Sequence, residues 1–231
     1  MTRSLLQEQT KVGIITVVSG ILAAACIIAG MIAVDFNDEA FSDPVLILSI
    51  PQVNVQAARW SMLFDMLGYY MLLIPAIYLF HDWMKNKTAW ANVISFCGLA
   101  YVLIGSIGAS ILAIVYPSIL KEYATASPAT QLILKSQFQL FNDMVYGGLW
   151  NLLEIFFAGI WWGSLGIILY KNRYSIIGIV SIATGLSCVA DGISGMFELP
   201  ALHEITLNAY LLLSIVWALA VGAFLMQKKL K

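Results

Sequence analysis

The sequence predicts an all-α fold: a polytopic membrane protein built as a six-transmembrane-helix bundle with short interfacial helices at its outer face. Of its 231 residues, 61% are hydrophobic and only 11% are charged, whereas a soluble domain carries about 25% charged residues. Six apolar stretches each supply the roughly 20 residues that a spanning helix needs. These stretches are continuous, without the alternation of apolar and polar residues that the strands of a membrane β-barrel show.

The six predicted spans belong to a single integral membrane domain, residues 1–231. They lie near residues 12–34, 59–80, 88–116, 143–170, 174–197 and 205–226. The first span follows the polar segment TRSLLQEQTK and is about as long as a bilayer is thick. We therefore interpret it as a transmembrane helix rather than a cleaved signal.

The connections between the spans are short on one side and longer on the other. The inner connections HDWMKNK and KNR predict that the second and third spans, and the fourth and fifth, are antiparallel neighbours. In one outer connection Asp43 can cap a short interfacial or lid-like helix that Pro44 opens and Pro51 ends. In the other, Ser127 and Pro128 open a helix that is predicted to extend the fourth span above the membrane.

Glycine and proline mark places where the spans bend or approach one another. Pro75 predicts a kink in the second span, and the pair Gly147–Gly148 predicts a bend in the fourth. The motifs Gly159-x-x-x-Gly163 and Gly105-x-x-x-Ala109 permit close helix contact. Such faces could pack inside the bundle or could join copies of the chain into a homo-oligomer, and both alternatives stay open here.

Basic residues predict the orientation in the membrane. If the N-terminus is cytoplasmic, nine Lys and Arg residues lie in inner segments and only three, Arg59, Lys121 and Lys135, lie in outer segments. This bias predicts that both termini face the cytoplasm and that the protein is integral to the cell (plasma) membrane. The net charge of −1 gives no indication of a nucleic-acid partner; the expected partner is the lipid bilayer.

Three carboxylates lie within the predicted spans, where a charge is costly. Asp65 and Asp191 are about 9 and 10 Å below the outer face, and Glu154 is about 16 Å below it, near the midplane. An ionised carboxylate at the bilayer centre costs about 2.5–3.5 kcal/mol, and no Lys or Arg inside the spans compensates it. We therefore expect Glu154 to be protonated, hydrogen-bonded to Asn151 or a hydroxyl, or solvated by water in a cavity.

Each of these carboxylates belongs to a stripe of small or hydroxylated residues on one face of its helix. Such stripes face other helices rather than lipid. The sequence therefore predicts that the stripes converge on one outward-opening, acidic, water-accessible pocket. The candidate ligand-binding residues are Glu154, Asp65, Asp191, Asn151, Tyr69 and Ser187.

The sequence offers little for catalysis or for a cofactor. The three cysteines lie in apolar stretches, which is typical of packing residues rather than of disulfides. His81 and His203 lie at opposite faces, which argues against a haem with two histidine ligands. A site of His203 with Glu198 and Glu204 would have fewer nitrogen or sulfur donors than zinc sites use. No Gly-x-Ser-x-Gly motif is present. We therefore name no catalytic residue, metal ligand or cofactor, and favour a protein that is not an enzyme.

Two segments resemble a known family. They are DMLGYYMLLIPAIYLF in the second span and IWWGSLGIILYKNRYSIIGIVSIATGLSCVADGI across the fourth and fifth. They look like the bacterial multi-spanning proteins grouped as domain-of-unknown-function family 4386, with which the chain also shares its size and six-helix hydropathy. The resemblance covers residues 12–225 or thereabouts. It implies an integral membrane protein of prokaryotic type, and it implies no reaction and no site residues.

Three hypotheses about function follow from these residues. In the first, the acidic pocket binds or transports a cation, an amine or a proton, so that the protein is transporter-like. In the second, the protein is a membrane sensor or partner subunit, and the carboxylates are hydrogen-bond partners between helices. In the third, it is an intramembrane enzyme that acts on lipid, which requires a nucleophile or a metal beside the carboxylates.

Overall fold

A computed structural model describes residues 3–37, 39–40, 43–227 and 230, with side chains described from residue 7 onward. These residues form helices and no strand, which confirms the predicted all-α fold class. Six helices are long and apolar enough to cross a membrane, as predicted, so the chain has the character of an integral membrane protein. They are α1 (Arg3–Ala33), α2 (Val55–Met84), α3 (Ala91–Tyr123), α4 (Pro128–Lys171), α5 (Ser175–Met196) and α6 (Pro200–Gln227).

The six helices pack as a closed ring. Each helix contacts the next one along the chain, and α6 returns to pack along α1. The predicted neighbours α2 and α3 are in contact, as are α4 and α5. The interior of the ring is filled by aromatic side chains, and Trp161, Trp162, Trp217 and Tyr101 are fully buried. Because these rings contact one another, the centre of the bundle is solid.

The small-residue faces predicted from the sequence are used within the chain. A Cβ added to Gly185 of α5 would overlap the backbone of Gly163 in α4, and one added to Gly159 would lie 2.6 Å from Val189 Cγ2. A Cβ on Gly105 of α3 would overlap the ring of Tyr70. Glycine at these positions therefore lets α4 approach α5, and α3 approach α2, more closely than any larger residue would. Association into a homo-oligomer stays a prediction.

The connections from α1 to α2 and from α3 to α4 contain the caps predicted from the sequence. Asp43 accepts a hydrogen bond from the Val45 N–H at 3.0 Å and caps a 3₁₀-helix, Pro44–Ser49, at the place of the expected short helix. Its interfacial or lid-like position stays a prediction. Ser127 caps the start of α4 by accepting from the Thr130 N–H at 3.3 Å. From Pro128 the helix runs without a break to Lys171, 44 residues in all, which is longer than the roughly 20 residues that a bilayer requires. Its extension on the outer side stays a prediction.

Two helices depart from regular α geometry. In α2 an α-helical segment, Val55–Asp65, is followed by a π-helical segment, Met66–Tyr70, and a 3₁₀ turn before α geometry resumes at Ile74. This irregular stretch ends at Leu73, two residues before Pro75, which has no N–H to donate to the preceding turn. In α4 the segment Asp143–Glu154 is π-helical and contains the glycine pair. Segments of π-helix often occur at functional sites.

Candidate functional site

Glu154 lies in the interior of the bundle, as the last residue of the π-helical segment of α4. The residue is only 1% exposed. Its carboxylate accepts hydrogen bonds from the hydroxyl of Tyr70 on α2 at 3.2 Å and from that of Tyr210 on α6 at 3.5 Å. The sequence allowed either Asn151 or a hydroxyl group as the hydrogen-bond partner of Glu154. In the structure its partners are hydroxyl groups. The carboxylate joins α4 to two other helices.

Asp65 lies in the same neighbourhood but is bonded differently. The residue is 8% exposed, and its Oδ2 has no hydrogen-bond partner among the residues that the structure describes. It is close enough to Glu154, Tyr70 and Tyr146 to interact with them electrostatically. In the described part of the chain, no Lys, Arg or His pairs with Asp65 or Glu154. We call these two residues the central acid pair.

Asp191 forms a separate site near the end of α5 that leads into α6. It is fully buried on α5 and accepts a hydrogen bond from the Thr206 hydroxyl of α6 at 3.0 Å. The Nδ1 atom of His203 lies 2.9 Å from its Oδ1, at ion-pair distance. Asp191 and Glu154 both lie near Cys188, but no direct interaction between the two carboxylates is seen among the described side chains. The structure thus brings two of the three predicted acids together and pairs the third with a histidine.

His203 opens onto a cleft of about 540 Å³ between α4 and the turn that joins α5 to α6. Its Nε2 lies 3.3 Å from the side-chain nitrogen of Asn151, the candidate residue one turn before Glu154. Ser194 and Glu198 also line the cleft, and the remaining lining is mostly apolar. We call this space the histidine cleft. It has the size of a small-molecule site, with a few polar groups among apolar walls.

A smaller cavity of about 80 Å³ lies where the C-terminal end of α1 and the N-terminal end of α2 meet α3 and α4. Pro44 and Ile47 of the 3₁₀-helix form part of its lining, and Tyr116, Tyr146 and Ser61 contribute the polar groups. We call it the tyrosine cavity. Ser61 lies one helical turn before Asp65, so the unpartnered carboxylate lies one turn deeper than the cavity.

The remaining candidates, Tyr69 and Ser187, make no hydrogen bond to a carboxylate among the described residues. The Tyr69 hydroxyl donates to the Leu211 carbonyl at 3.4 Å, although Tyr69 is near enough to Asp65 to interact with it electrostatically. Ser187 donates at 3.0 Å to the carbonyl of Ala183 in its own helix.

Sequence reasoning missed Tyr70, Tyr210 and Thr206, which contact the carboxylates directly. The signal for Tyr70 was its place beside Tyr69 in the motif GYY. For Tyr210 and Thr206 the sequence gives no local signal, because the packing of α6 against α4 and α5 determines what they face. Among the described residues, no group of three or more His, Cys, Asp or Glu could hold a metal ion.

Comparison with known proteins places the chain in a family. No curated protein and no solved structure was found to match it. One family model does match, over residues 18–228, which is nearly the whole chain. This confirms the resemblance seen in the second, fourth and fifth spans. The chain belongs to the family described as "Domain of unknown function (DUF4386)".

Proposed function

We propose that this protein binds a positive charge, either a proton or a small organic cation such as an amine, at buried carboxylates reached from the outer face of the membrane. The observation that carries the proposal is the central acid pair. Asp65 and Glu154 are buried, close enough to interact, and without a Lys, Arg or His partner in the part of the chain that the structure describes.

The physical reason is the cost of uncompensated charge. An ionised carboxylate near the bilayer centre costs about 2.5–3.5 kcal/mol even on the most lenient scale, which is roughly a hundredfold in an equilibrium constant. A second ionised carboxylate nearby adds repulsion. The site is therefore stable only when at least one positive charge accompanies the two acids.

The other candidate residues have places in this proposal. Asp191 and Asn151 contact His203 at the histidine cleft and provide a second group of polar atoms on the outer side. Tyr69 lies near Asp65, and Ser187 is on the same helix as Asp191. We propose that these residues shape the polar surroundings of the bound charge rather than touch it.

Infrared spectroscopy of the purified protein in lipid nanodiscs tests the proposal. At neutral pH, in a buffer without amines, we expect the carbonyl band of a protonated, buried carboxylic acid. Glu154→Gln or Asp65→Asn should diminish this band. Asp143→Asn, which changes an exposed acid on α4, serves as the matched control and should leave it unchanged. Two fully ionised carboxylates with no bound cation would overturn the proposal.

A second candidate is the membrane sensor or partner subunit, in which the acids have a structural role. The observation that favours it is the pair of tyrosine hydroxyls that Glu154 accepts from two other helices. Such bonds hold a bundle together whether or not a ligand binds. Co-purification of a partner in fixed stoichiometry, together with an unchanged infrared spectrum in Asp65→Asn, would favour this alternative.

A further inference from the structure

We infer that the histidine cleft is a second binding site, which takes a neutral amphiphile whose hydroxyl group, such as that of a phenol, donates a hydrogen bond to Nε2 of His203. The site is separate from the central acid pair, so the inference goes beyond the proposed function and does not depend on it. It rests on three features of the cleft: a proton acceptor positioned by a buried carboxylate, a lining that disfavours anions, and open space beside apolar side chains.

The proton acceptor is the Nε2 atom of His203. The side chain of Asp191 is fully buried, whereas that of His203 is 28% exposed and lines the cleft. Asp191 Oδ1 lies 2.9 Å from Nδ1 of His203, and a carboxylate there favours the tautomer in which Nδ1 carries the proton. Nε2 then keeps its lone pair. A carboxylate behind an imidazole positions the ring to accept a proton or a hydrogen bond at its other nitrogen.

Within the described chain this acceptor has only a weak partner. The side-chain nitrogen of Asn151 lies 3.3 Å from Nε2, which is longer than the roughly 2.7–3.2 Å of most hydrogen bonds from N–H donors. A ligand hydroxyl approaches its acceptor to about 2.5–3.0 Å and would form the better bond. The displaced Asn151 amide can then donate to the oxygen of the same hydroxyl. The pair of side chains therefore suits a group that both donates and accepts.

The lining favours a neutral ligand with an apolar body. Among the described residues that line the cleft, none is Lys or Arg, and the acid Glu198 is exposed at its edge. An anion would meet repulsion from Glu198 without a basic residue to offset it. Leu152, Met196 and Leu199 also line the cleft and are about half exposed. Covering them with an apolar ring or chain removes apolar surface from water and favours binding.

The cleft has room for such a ligand. Its volume of about 540 Å³ is within the roughly 300–1,000 Å³ of small-molecule sites. Gly147 belongs to the lining, and a Cβ added there would have no atom within 4 Å. The space beside the π-helical segment of α4 is therefore open. A larger side chain at Gly147 would occupy part of it without disturbing the packing of the helices.

Fluorescence titration of the nanodisc-embedded protein with 2-naphthol and with 2-methoxynaphthalene tests the inference, with partition into empty nanodiscs subtracted. We expect 2-naphthol to bind about three- to tenfold more tightly, because the ether has no hydrogen to donate to His203. His203→Phe keeps an aromatic ring and removes the acceptor, so it should abolish this preference. The preference is a ratio of two affinities of one variant, so a general change in folding or affinity does not produce or hide it.

Two leucine variants test the location of the site. Gly147→Leu should weaken the binding of both probes by about tenfold or more, because the new side chain occupies the cleft. Gly163→Leu is the matched control. It makes the same change on the same helix, also with open space around the new Cβ, but Gly163 is not part of the lining, so it should bind as the wild type does.

Nitrogen-15 NMR of the histidine-labelled protein tests the contact itself. The chain has only two histidines, His81 and His203, so His81→Gln assigns both. Saturation with 2-naphthol should shift the Nε2 resonance of His203 and leave the resonances of His81 unchanged. A histidine that only supports the fold would show no such shift.

Several outcomes would overturn the inference. They are equal affinity of the wild type for the two probes, an unshifted His203 resonance, and wild-type binding in Gly147→Leu. Tighter binding of 2-naphthoate than of 2-naphthol would also overturn it, since the cleft would then be a site for anions. None of these measurements involves Asp65 or Glu154, so the proposed function is decided separately by its infrared test.

Discussion

The contrast between Asp65 and Asp191 gives a prediction about the sign of a stability change. The Oδ2 atom is unpartnered in both residues, but Asp191 Oδ1 accepts a hydrogen bond from Thr206 and lies 2.9 Å from His203 Nδ1, whereas Asp65 accepts no hydrogen bond from the described side chains. We predict that Asp65→Asn does not destabilise the bundle and that Asp191→Asn does. An acid retained for ligand binding contributes no stability of its own, whereas one that ties two helices together does.

The magnitude follows from what each substitution removes. Asn has nearly the same volume as Asp, so neither variant opens a cavity or overfills the site. At Asp65 the change removes a charge that costs about 2.5–3.5 kcal/mol at the bilayer centre and less at its predicted depth of about 9 Å, so we expect a gain of 0 to about 1 kcal/mol. At Asp191 the change leaves the His203 Nδ1 without its carboxylate, which we expect to cost about 1–3 kcal/mol.

Reversible unfolding in bicelles measures both effects. Wild type, the two single variants and the double variant are compared as free energies of unfolding. Because no direct interaction joins the two sites, the effects should add within about 0.5 kcal/mol. A loss of more than about 1 kcal/mol in Asp65→Asn would refute the reasoning, since Asp65 would then support the fold. Strong non-additivity would show that the two sites are coupled.

Three further predictions concern the bundle itself. Tyr70→Phe and Tyr210→Phe should each cost about 0.6–1.7 kcal/mol of unfolding free energy, which is the range measured for interhelical hydrogen bonds in membranes. If neither variant loses stability, these hydrogen bonds do not hold Glu154 in place. Gly185→Leu should cost about 2–3 kcal/mol of unfolding free energy or prevent folding, because the new side chain would meet the Gly163 backbone. Gly147→Leu should be tolerated, because Gly147 has open space around it. Similar losses of stability in both variants would contradict the close packing of α4 on α5. On a cysteine-free background, an impermeant thiol reagent applied outside intact cells should label Thr125→Cys and not Lys171→Cys; the reverse pattern would invert the predicted orientation.

Much of the fold could be predicted because its signals are local. The length of an apolar run and the capping residues Asp43 and Ser127 act within a few residues of the helix that they define. The π-helical segments could not be predicted in the same way. Their hydrogen bonds depend on how neighbouring helices press on the backbone, as at Gly68, where an added Cβ would overlap the backbone of Ala23 in α1.

The same irregularity explains why Tyr70 was not predicted as a partner of Glu154. Regular helical spacing places Tyr69, four residues after Asp65, on the face of the carboxylate. The intervening segment, Met66–Tyr70, is π-helical, and Tyr70 itself has φ −124° and ψ −80°, outside helical geometry. The wider turn shifts the helical phase, so Tyr70, rather than Tyr69, reaches Glu154 at 3.2 Å. A prediction based on 3.6 residues per turn cannot include this shift.

The positions of the irregular segments also favour the central acid pair over the histidine cleft as the functional centre. Asp65 directly precedes the π-helical segment of α2, and Glu154 ends that of α4. Asp191, in contrast, lies in an uninterrupted α-helix; its Oδ2 is also unpartnered, but its Oδ1 accepts a hydrogen bond from Thr206. Unusual backbone and an unpartnered buried acid both lower stability, and natural sequences retain such departures mainly at functional sites. Irregular backbone and a buried acid without a charged partner occur together at Asp65 and Glu154. A ligand that supplies positive charge there would explain both features, whereas a ligand that binds only at His203 would explain neither.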